Sequence, residues 1–168
     1  MMDNEAILRS LAVREPGAAA EATAEQELLK YVLFTIGERA YALPADRVRE
    51  ISFDNELHYV PFLPPYVRGY ANRHGQPFTV IDLAQMFDGL GLDSSTLLIL
   101  AVEGDQLALL ISDVDEIVKL PRSAIHTLAS EEESARFFSH SVTAKEGDVF
   151  VLNVLTLLER LERDVERI

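Results

Sequence analysis

Cysteine is absent from the 168-residue sequence, which removes disulfide frameworks, thiolate nucleophiles and cysteine-based zinc or iron–sulfur sites. No uninterrupted apolar run approaches the roughly 18 residues of a membrane-spanning helix. The opening Met1-Met2-Asp3-Asn4-Glu5 is acidic and has no apolar core of a secretory signal. A cytoplasmic protein without direct membrane insertion is expected. Basic charge is scarce too: 15 Lys and Arg against 28 Asp and Glu leave a formal charge of -13. Arg47 and Arg49 alternate with Asp46 and Glu50, and the C-terminal arginines are interleaved with glutamates, so no basic tract stands out. Such a field repels nucleic acid, and no nucleic-acid partner is expected.

Signatures of chemistry are also missing. The histidines, His58, His74, His126 and His140, form no His-x-His or His-x-x-x-His pair, and no metal site is nominated. Ser139-His140-Ser141 lacks the spaced base, orienting group and oxyanion donor of a nucleophilic triad. No Gly-x-Gly-x-x-Gly or Walker loop occurs, and Gly89-Leu90-Gly91 reads as a turn. Asp113, Asp115 and Glu116 are paired carboxylates without EF-hand spacing, and acid–base chemistry would require a cleft that divides their pKa values. They fit a solvated edge or a surface for a basic partner. No catalytic residue and no cofactor is assigned, and the protein is read as not an enzyme; a small-molecule-binding or enzymatic domain with an unrecognised pocket is the remaining alternative.

What is present is enough apolar material for a core, 48% of residues against 26% charged. Residues 1–28 read as an arm and linker, with Ile7, Leu8 and Leu11 at helical spacing before Pro16-Gly17. Tyr31–Ile36 and Arg39–Leu43 form a hairpin pattern around Gly37-Glu38. Pro44 opens a short turn, and Arg49–Phe53 returns to strand. Pro61, Pro64 and Pro65 then exclude a helix. Val67, Gly69 and Ala71 share one face of a strand, Gly75 marks a turn, and Phe78–Ile81 is a buried strand. Asp82 caps a one-turn helix through Phe87. Beyond Gly89 come strands at 97–102 and 106–111, an extended segment to Pro121, a loop at 130–136, strands at 137–142 and 149–152 joined through Glu146-Gly147-Asp148, and a C-terminal helix with Leu155, Leu158, Leu161 and Val165 on one face.

The two halves match at nearly constant offset. Tyr31-Val-Leu-Phe aligns with Leu97-Leu-Ile-Leu, Tyr41-Ala-Leu with Leu107-Ala-Leu, and Val48, Glu50 and Ile51 with Val114, Glu116 and Ile117, all at 66 residues. Val80-Ile-Asp-Leu aligns with Val151-Leu-Asn-Val and Phe87 with Leu158, at 71. Two similar β modules, or the recurrence of period-2 patterns in any all-β chain, would produce these matches.

Tyr41-Ala-Leu-Pro with Val48-Arg-Glu-Ile, Val60-Pro through Val67-Arg-Gly and Asn72, Pro77 to Leu83 and Leu107 to Ile117 occur in the order found in the CheW-like domain family, which this chain resembles from Leu29 to Leu158. The resemblance implies an all-β fold of two small five-stranded β-barrel-like subdomains, with short connecting helices and a C-terminal helix. The first subdomain is expected at 29–95, the second at 96–158, and the end of the helix at 159–168. It implies a non-enzymatic adaptor coupling chemoreceptor cytoplasmic tips to the regulatory domain of a chemotaxis-type histidine kinase. Recruitment to membrane-associated receptor arrays and association with other CheW-like domains follow, as does the alternative of a regulatory module outside ordinary chemotaxis. Interface candidates are Val48, Arg49 and Glu50 at an element junction, Tyr66 and Arg68 after the proline turn, and Leu109, Ile111 and Val114 in the second module. Arg73 and His74 complete the set: relatives commonly carry Asn-Leu-Arg-Gly where this chain has Asn72-Arg73-His74-Gly75. Neighbouring strand positions face opposite ways, so the displaced arginine serves a different face.

Overall fold

The computed structural model describes residues 27–128, 133–144 and 147–166. Most of the expected arm, the turn at Glu146 and part of the 130–136 loop lie outside those residues. The strands are β1 (Leu29–Ile36), β2 (Arg39–Pro44), β3 (Val48–Ser52), β4 (Val67–Arg73), β5 (Gln76–Ile81), β6 (Thr96–Leu100), β7 (Leu107–Ile111), β8 (Asp113–Leu120), β9 (Ile125–Thr127), β10 (Phe138–Ala144) and β11 (Gly147–Leu152). Helix α1 (Leu83–Asp88) follows β5, and helix α2 (Val154–Glu166) follows β11.

The strands form a six-stranded sheet, ordered β8-β1-β2-β11-β10-β9, and a five-stranded sheet, ordered β3-β6-β7-β5-β4. Matching the chain at the two offsets turns one order into the other, with β9 left over. The registers repeat as well. Phe34↔Val114 and Leu33↔Glu116 in one sheet become Leu100↔Val48 and Ile99↔Glu50 in the other, with a bulge at the same place. The parallel pair Val151↔Ala42 becomes Val80↔Ala108. Even β9 has a vestigial counterpart, the single bridge between His58 and Tyr70 on β4. This agreement of order, register and irregularity is what two copies of one module produce.

The sheets do not divide the chain at residues 95 and 96. The β1–β2 hairpin pairs with β8 and β11 of the second half, and the β6–β7 hairpin pairs with β3 and β5 of the first. Each module has exchanged its first hairpin with the other. The crossings are short: the 3-10 turn Ala45–Arg47 carries the chain from β2 to β3, and Ser112 alone separates β7 from β8. Such brief links leave each strand entering the neighbouring sheet, where it finds its edge.

Three apolar clusters follow from this layout. The largest fills the space between the sheets with Phe34, Leu43, Leu98, Leu100, Leu109, Ile111 and the buried face of α2. The far side of the five-stranded sheet buries Phe78, Val80, Leu97, Ile99 and Leu110, and that of the six-stranded sheet buries Leu33, Val142, Val149 and Val151. β6 and β7 are therefore covered on both faces, which is why Leu97–Leu100 and Leu107–Ile111 are continuous apolar runs without alternation. On α2 the buried face is Val154, Leu157 and Leu158, with Leu161 packed beside it, whereas Leu155 and Val165 are exposed. The expected stripe was rotated, because several apolar residues in its first turns allow more than one helical face.

A polar contact lies beside the cluster on the far side of the six-stranded sheet. His140 Nε2 is 2.9 Å from the Tyr31 hydroxyl and its Nδ1 is 2.8 Å from Ser139 Oγ. Burial lowers the His140 pKa below its ordinary value and raises that of Tyr31, with a smaller push on Tyr31 from Asp46. The unfolded chain thus takes up a proton on His140 at higher pH than the folded chain. This contribution to stability is complete above about pH 6.5 and is lost as pH falls below it. Urea unfolding of the wild type is expected to show a declining midpoint from pH 7.5 to 5.5, and H140Q should flatten that decline.

Candidate protein-docking surface

The segment between β3 and β4 is built as a rigid base under exposed aromatics. Three prolines limit its backbone, and Val67 N–H donates to Pro64 O at 2.9 Å, closing the turn into β4. His58 and Tyr70 exchange backbone hydrogen bonds of 2.8 and 2.9 Å, and their rings stack with centroids 4.9 Å apart. Gly69 makes this approach possible. Its φ is +120°, and a Cβ there would lie 2.0 Å from His58 O.

Asp82 anchors the other side. Its carboxylate is fully buried. Oδ1 accepts from Gln85 N–H at 3.0 Å, capping α1, while Oδ2 accepts from Arg68 Nη1 at 2.7 Å and from Leu92 N–H at 2.9 Å. Arg68 Nη1 also donates to Leu92 O at 3.0 Å. One ion pair thereby ties β4, α1 and the 89–95 loop together. Tyr66 is buried and donates its hydroxyl to Asp164 Oδ2 at 2.7 Å, with Arg160 Nε on the same oxygen at 2.6 Å. Burial, then the bond to Asp164, raises the Tyr66 pKa. For Asp164 burial pushes upward, but the bonds from Tyr66 and Arg160, with the charges of Arg160 and Arg163, hold its carboxyl below the usual range.

Above this base, Phe53 is exposed, Tyr59 is 78% exposed and Phe62 is 83% exposed. Phe62 has a φ of +65°, an uncommon conformation for a bulky residue and one held by its proline-rich surroundings. Tyr59, Leu63, Pro65, Arg68 and Leu92 line an adjoining cleft of about 530 Å³. Exposed aromatics, Tyr59 among them lining a cleft, suit recognition of another protein. Sequence reasoning missed Phe53, Tyr59 and Phe62; aromatics flanking a proline cluster that no helix or strand can absorb were the available signal.

The residues nominated from sequence fall in several environments. Leu109 and Ile111 are fully buried, so neither forms surface, and Tyr66 is likewise internal. Their apolar bodies belong to the cluster between the sheets. Val48 and Val114 are half-buried against that same cluster, at equivalent positions of the two modules. Arg68 pairs with Asp82 and stays partly exposed at the cleft. Arg49 is exposed, with its guanidinium 5.9 Å from the Phe78 ring centroid. Glu50 and Arg73 are brought together: Arg73 Nε and Nη2 donate to Glu50 Oε1 at 3.0 and 2.7 Å. Since β3 and β4 are the two edges of the five-stranded sheet, this pair bridges its edges and curls it toward a barrel. His74 is exposed in the β4–β5 turn, where positive φ at His74 and Gly75 matches the type I′ pattern. Asp113 and Asp115 face outward on β8, the other sheet's edge, and Glu116 has an interaction of its own.

Among the described residues, no group of three His, Asp or Glu is placed to hold a metal ion. Nor is any helix among them long and apolar enough to cross a membrane.

Comparison with known proteins accords with this architecture. A family model described as the CheW-like domain matches residues 30–162. A Helicobacter pylori protein named chemotaxis protein CheW is 27% identical over 155 residues, covering 90% of this chain and 92% of that protein. The crystal structure of the scaffolding protein TtCheW from Thermoanaerobacter tengcongensis superposes with a TM-score of 0.67 at 23% identity, covering 75% of this chain and 89% of that one, and so shares its fold. With a matched family model spanning both sheets and most of α2, the chain belongs to the CheW-like domain family.

Proposed function

We propose that this protein is a non-enzymatic chemosensory adaptor, joining chemoreceptor cytoplasmic tips to the regulatory domain of a histidine kinase in the cytoplasm. The observation that carries the reading is the exposure of Tyr59 and Phe62 in the loop that leads into β4, a loop whose base is fixed by Gly69 and the Arg68–Asp82 pair. Family membership supports it. So do the filled apolar clusters of both sheets, which leave recognition to the outer surface. An adaptor of this kind works by holding two partners at fixed geometry, so that movement of one biases the other.

Binding of the purified protein to the cognate kinase regulatory domain and to a receptor-tip fragment tests the proposal. Failure to bind either, where an established coupling protein binds both, would sink it. Tyr59→Ala and Phe62→Ala are each expected to weaken one of these complexes by about 30-fold, the ~2 kcal/mol of an aromatic hot spot. Their far-UV circular dichroism should match the wild type, since both side chains stand in solvent.

A second reading, a CheW-like regulatory module with partners outside ordinary chemotaxis, draws on one observation. Where relatives commonly place arginine, this chain presents the exposed imidazole of His74, and the neighbouring Arg73 is engaged by Glu50. Binding to a CheW-like kinase domain from another signalling system, with none to chemoreceptor tips, would favour this reading over the first.

A further inference from the structure

Positive charge is scarce on this chain, 15 Lys and Arg against 28 Asp and Glu, yet three arginines meet at one pocket. Arg136, Phe137, Thr156, Glu159, Arg160 and Arg163 line a cavity of about 390 Å³. One wall follows from helical spacing: Thr156, Glu159, Arg160 and Arg163 fall at i, i+3, i+4 and i+7 of α2 and share a face. The opposing residue, Arg136, comes from the last turn of the 3-10 segment Glu133–Phe137. That segment is fixed where it meets α2. Phe137 is buried in the cluster between the sheets, and its carbonyl accepts from Asn153 N–H at 2.7 Å.

The three guanidinium groups are not equivalent. Arg160 is built into the wall: its Nε donates to Asp164 Oδ2 at 2.6 Å, and its guanidinium lies 5.8 Å from the Tyr66 ring centroid and 6.0 Å from that of Phe137. Arg136 and Arg163 are exposed, and neither makes an ion pair or hydrogen bond among the described residues. Arg163 acts on Asp164 only through its field, which helps hold that carboxyl below its usual range. Elsewhere Arg39, Arg68, Arg73 and Arg122 each face a carboxylate. On a chain this rich in acid, two arginines left without one beside the same cavity are the exception.

We propose that this pocket binds a phosphate group, held by the forks of Arg136 and Arg163, with Thr156 as hydroxyl donor and Arg160 as the fixed wall. The site stands apart from the adaptor reading and does not depend on it. Guanidinium offers oxyanions a planar fork of N–H donors and keeps its charge throughout the physiological range. Forks reaching in from two elements, with a hydroxyl between them, suit the tetrahedral oxygens of phosphate better than the flat edge of a carboxylate. The net charge of -13 does not forbid an anion here, because salt screens charges beyond about 8 Å at physiological ionic strength and the arginines line the site itself. Glu159, on the same face, opposes the ligand and limits its affinity. Bridging the 3-10 segment to α2 couples binding to stability.

Titration of the isotope-labelled full-length protein with inorganic phosphate, at ionic strength held constant with chloride, tests the site. Saturating amide shifts confined to residues 136–137 and 156–163 are expected, together with a melting temperature that rises with phosphate. Arg136→Gln and Arg163→Gln should each weaken binding about tenfold, as loss of a charge-assisted hydrogen bond does, and together abolish it. Their far-UV circular dichroism should match the wild type, and Glu159→Gln should tighten binding. Glycerol 3-phosphate separates the sources of the group: tighter binding than inorganic phosphate assigns the pocket to a phosphate monoester, and equal or weaker binding assigns it to the free ion. Shifts spread over the whole surface, the same shifts with chloride alone, or unchanged affinity in the double variant would overturn the proposal. Acetate binding as tightly as phosphate would overturn the assignment to phosphate.

Discussion

Asp82→Ala is expected to destabilise the protein by about 2–4 kcal/mol, the cost of removing a fully buried carboxylate on which a guanidinium and two backbone N–H groups converge. The carboxylate is fully excluded from solvent, and its removal leaves the partly exposed Arg68 guanidinium with Leu92 O in place of its ion-pair partner. Two N–H groups, those of Gln85 and Leu92, lose their acceptors in the same step. Equilibrium urea unfolding measures the change. A loss below about 1 kcal/mol would show that water replaces the carboxylate and that the pair behaves as an exposed one. Arg68→Met combined with Asp82→Leu should recover part of the loss, because an apolar pair carries no desolvation cost. Recovery would separate the charge from the cap, since the double variant still lacks an acceptor for Gln85 N–H.

Gly69→Ala should be equally severe through a different cause. The added methyl would meet His58 O at 2.0 Å and His58 C at 2.8 Å, both backbone atoms that no rotamer change can move. Relief requires breaking the His58–Tyr70 bridge and lifting the aromatic loop. A loss of at least about 3 kcal/mol is expected, combining backbone strain with two broken hydrogen bonds. Gly75→Ala provides the control. Gly75 also has positive φ, but its added Cβ would meet nothing within 4 Å, so only the left-handed penalty of about 1–2 kcal/mol applies. Equal effects at both glycines would mean that conformation, not the close approach to His58, sets the requirement at Gly69.

These two residues mark where sequence reasoning succeeded and where it stopped. Asp82 was legible as a cap because its partner amide is three residues away, and the β4–β5 turn was legible because glycine at Gly75 permits it. The module repeat was legible in Leu107-Ala-Leu echoing Tyr41-Ala-Leu. The exchange of hairpins was not, since β1 fits the edge of β3 or of β8 by pattern alone and only the short crossings at 45–47 and Ser112 decide between them. Tyr66 and Arg68 hid their partners for a similar reason. Their polar tips are satisfied by Asp164 and Asp82, and nothing local in the sequence announces a partner on a distant helix.

The exchange of hairpins has a bearing on biosynthesis. The five-stranded sheet occupies one continuous stretch of chain, so all its strands are available once β7 has left the ribosome. The β1–β2 hairpin emerges before any of them and is paired last, because β8 and β11 are translated afterwards. During that interval an apolar hairpin carrying Val32, Phe34 and Leu43 is without its sheet. Closure of such distant pairings is slow, and exposed strand edges invite aggregation. The nascent chain's interval of greatest exposure to chaperones and to misassembly thus begins with its first strand and ends only when its last one is made.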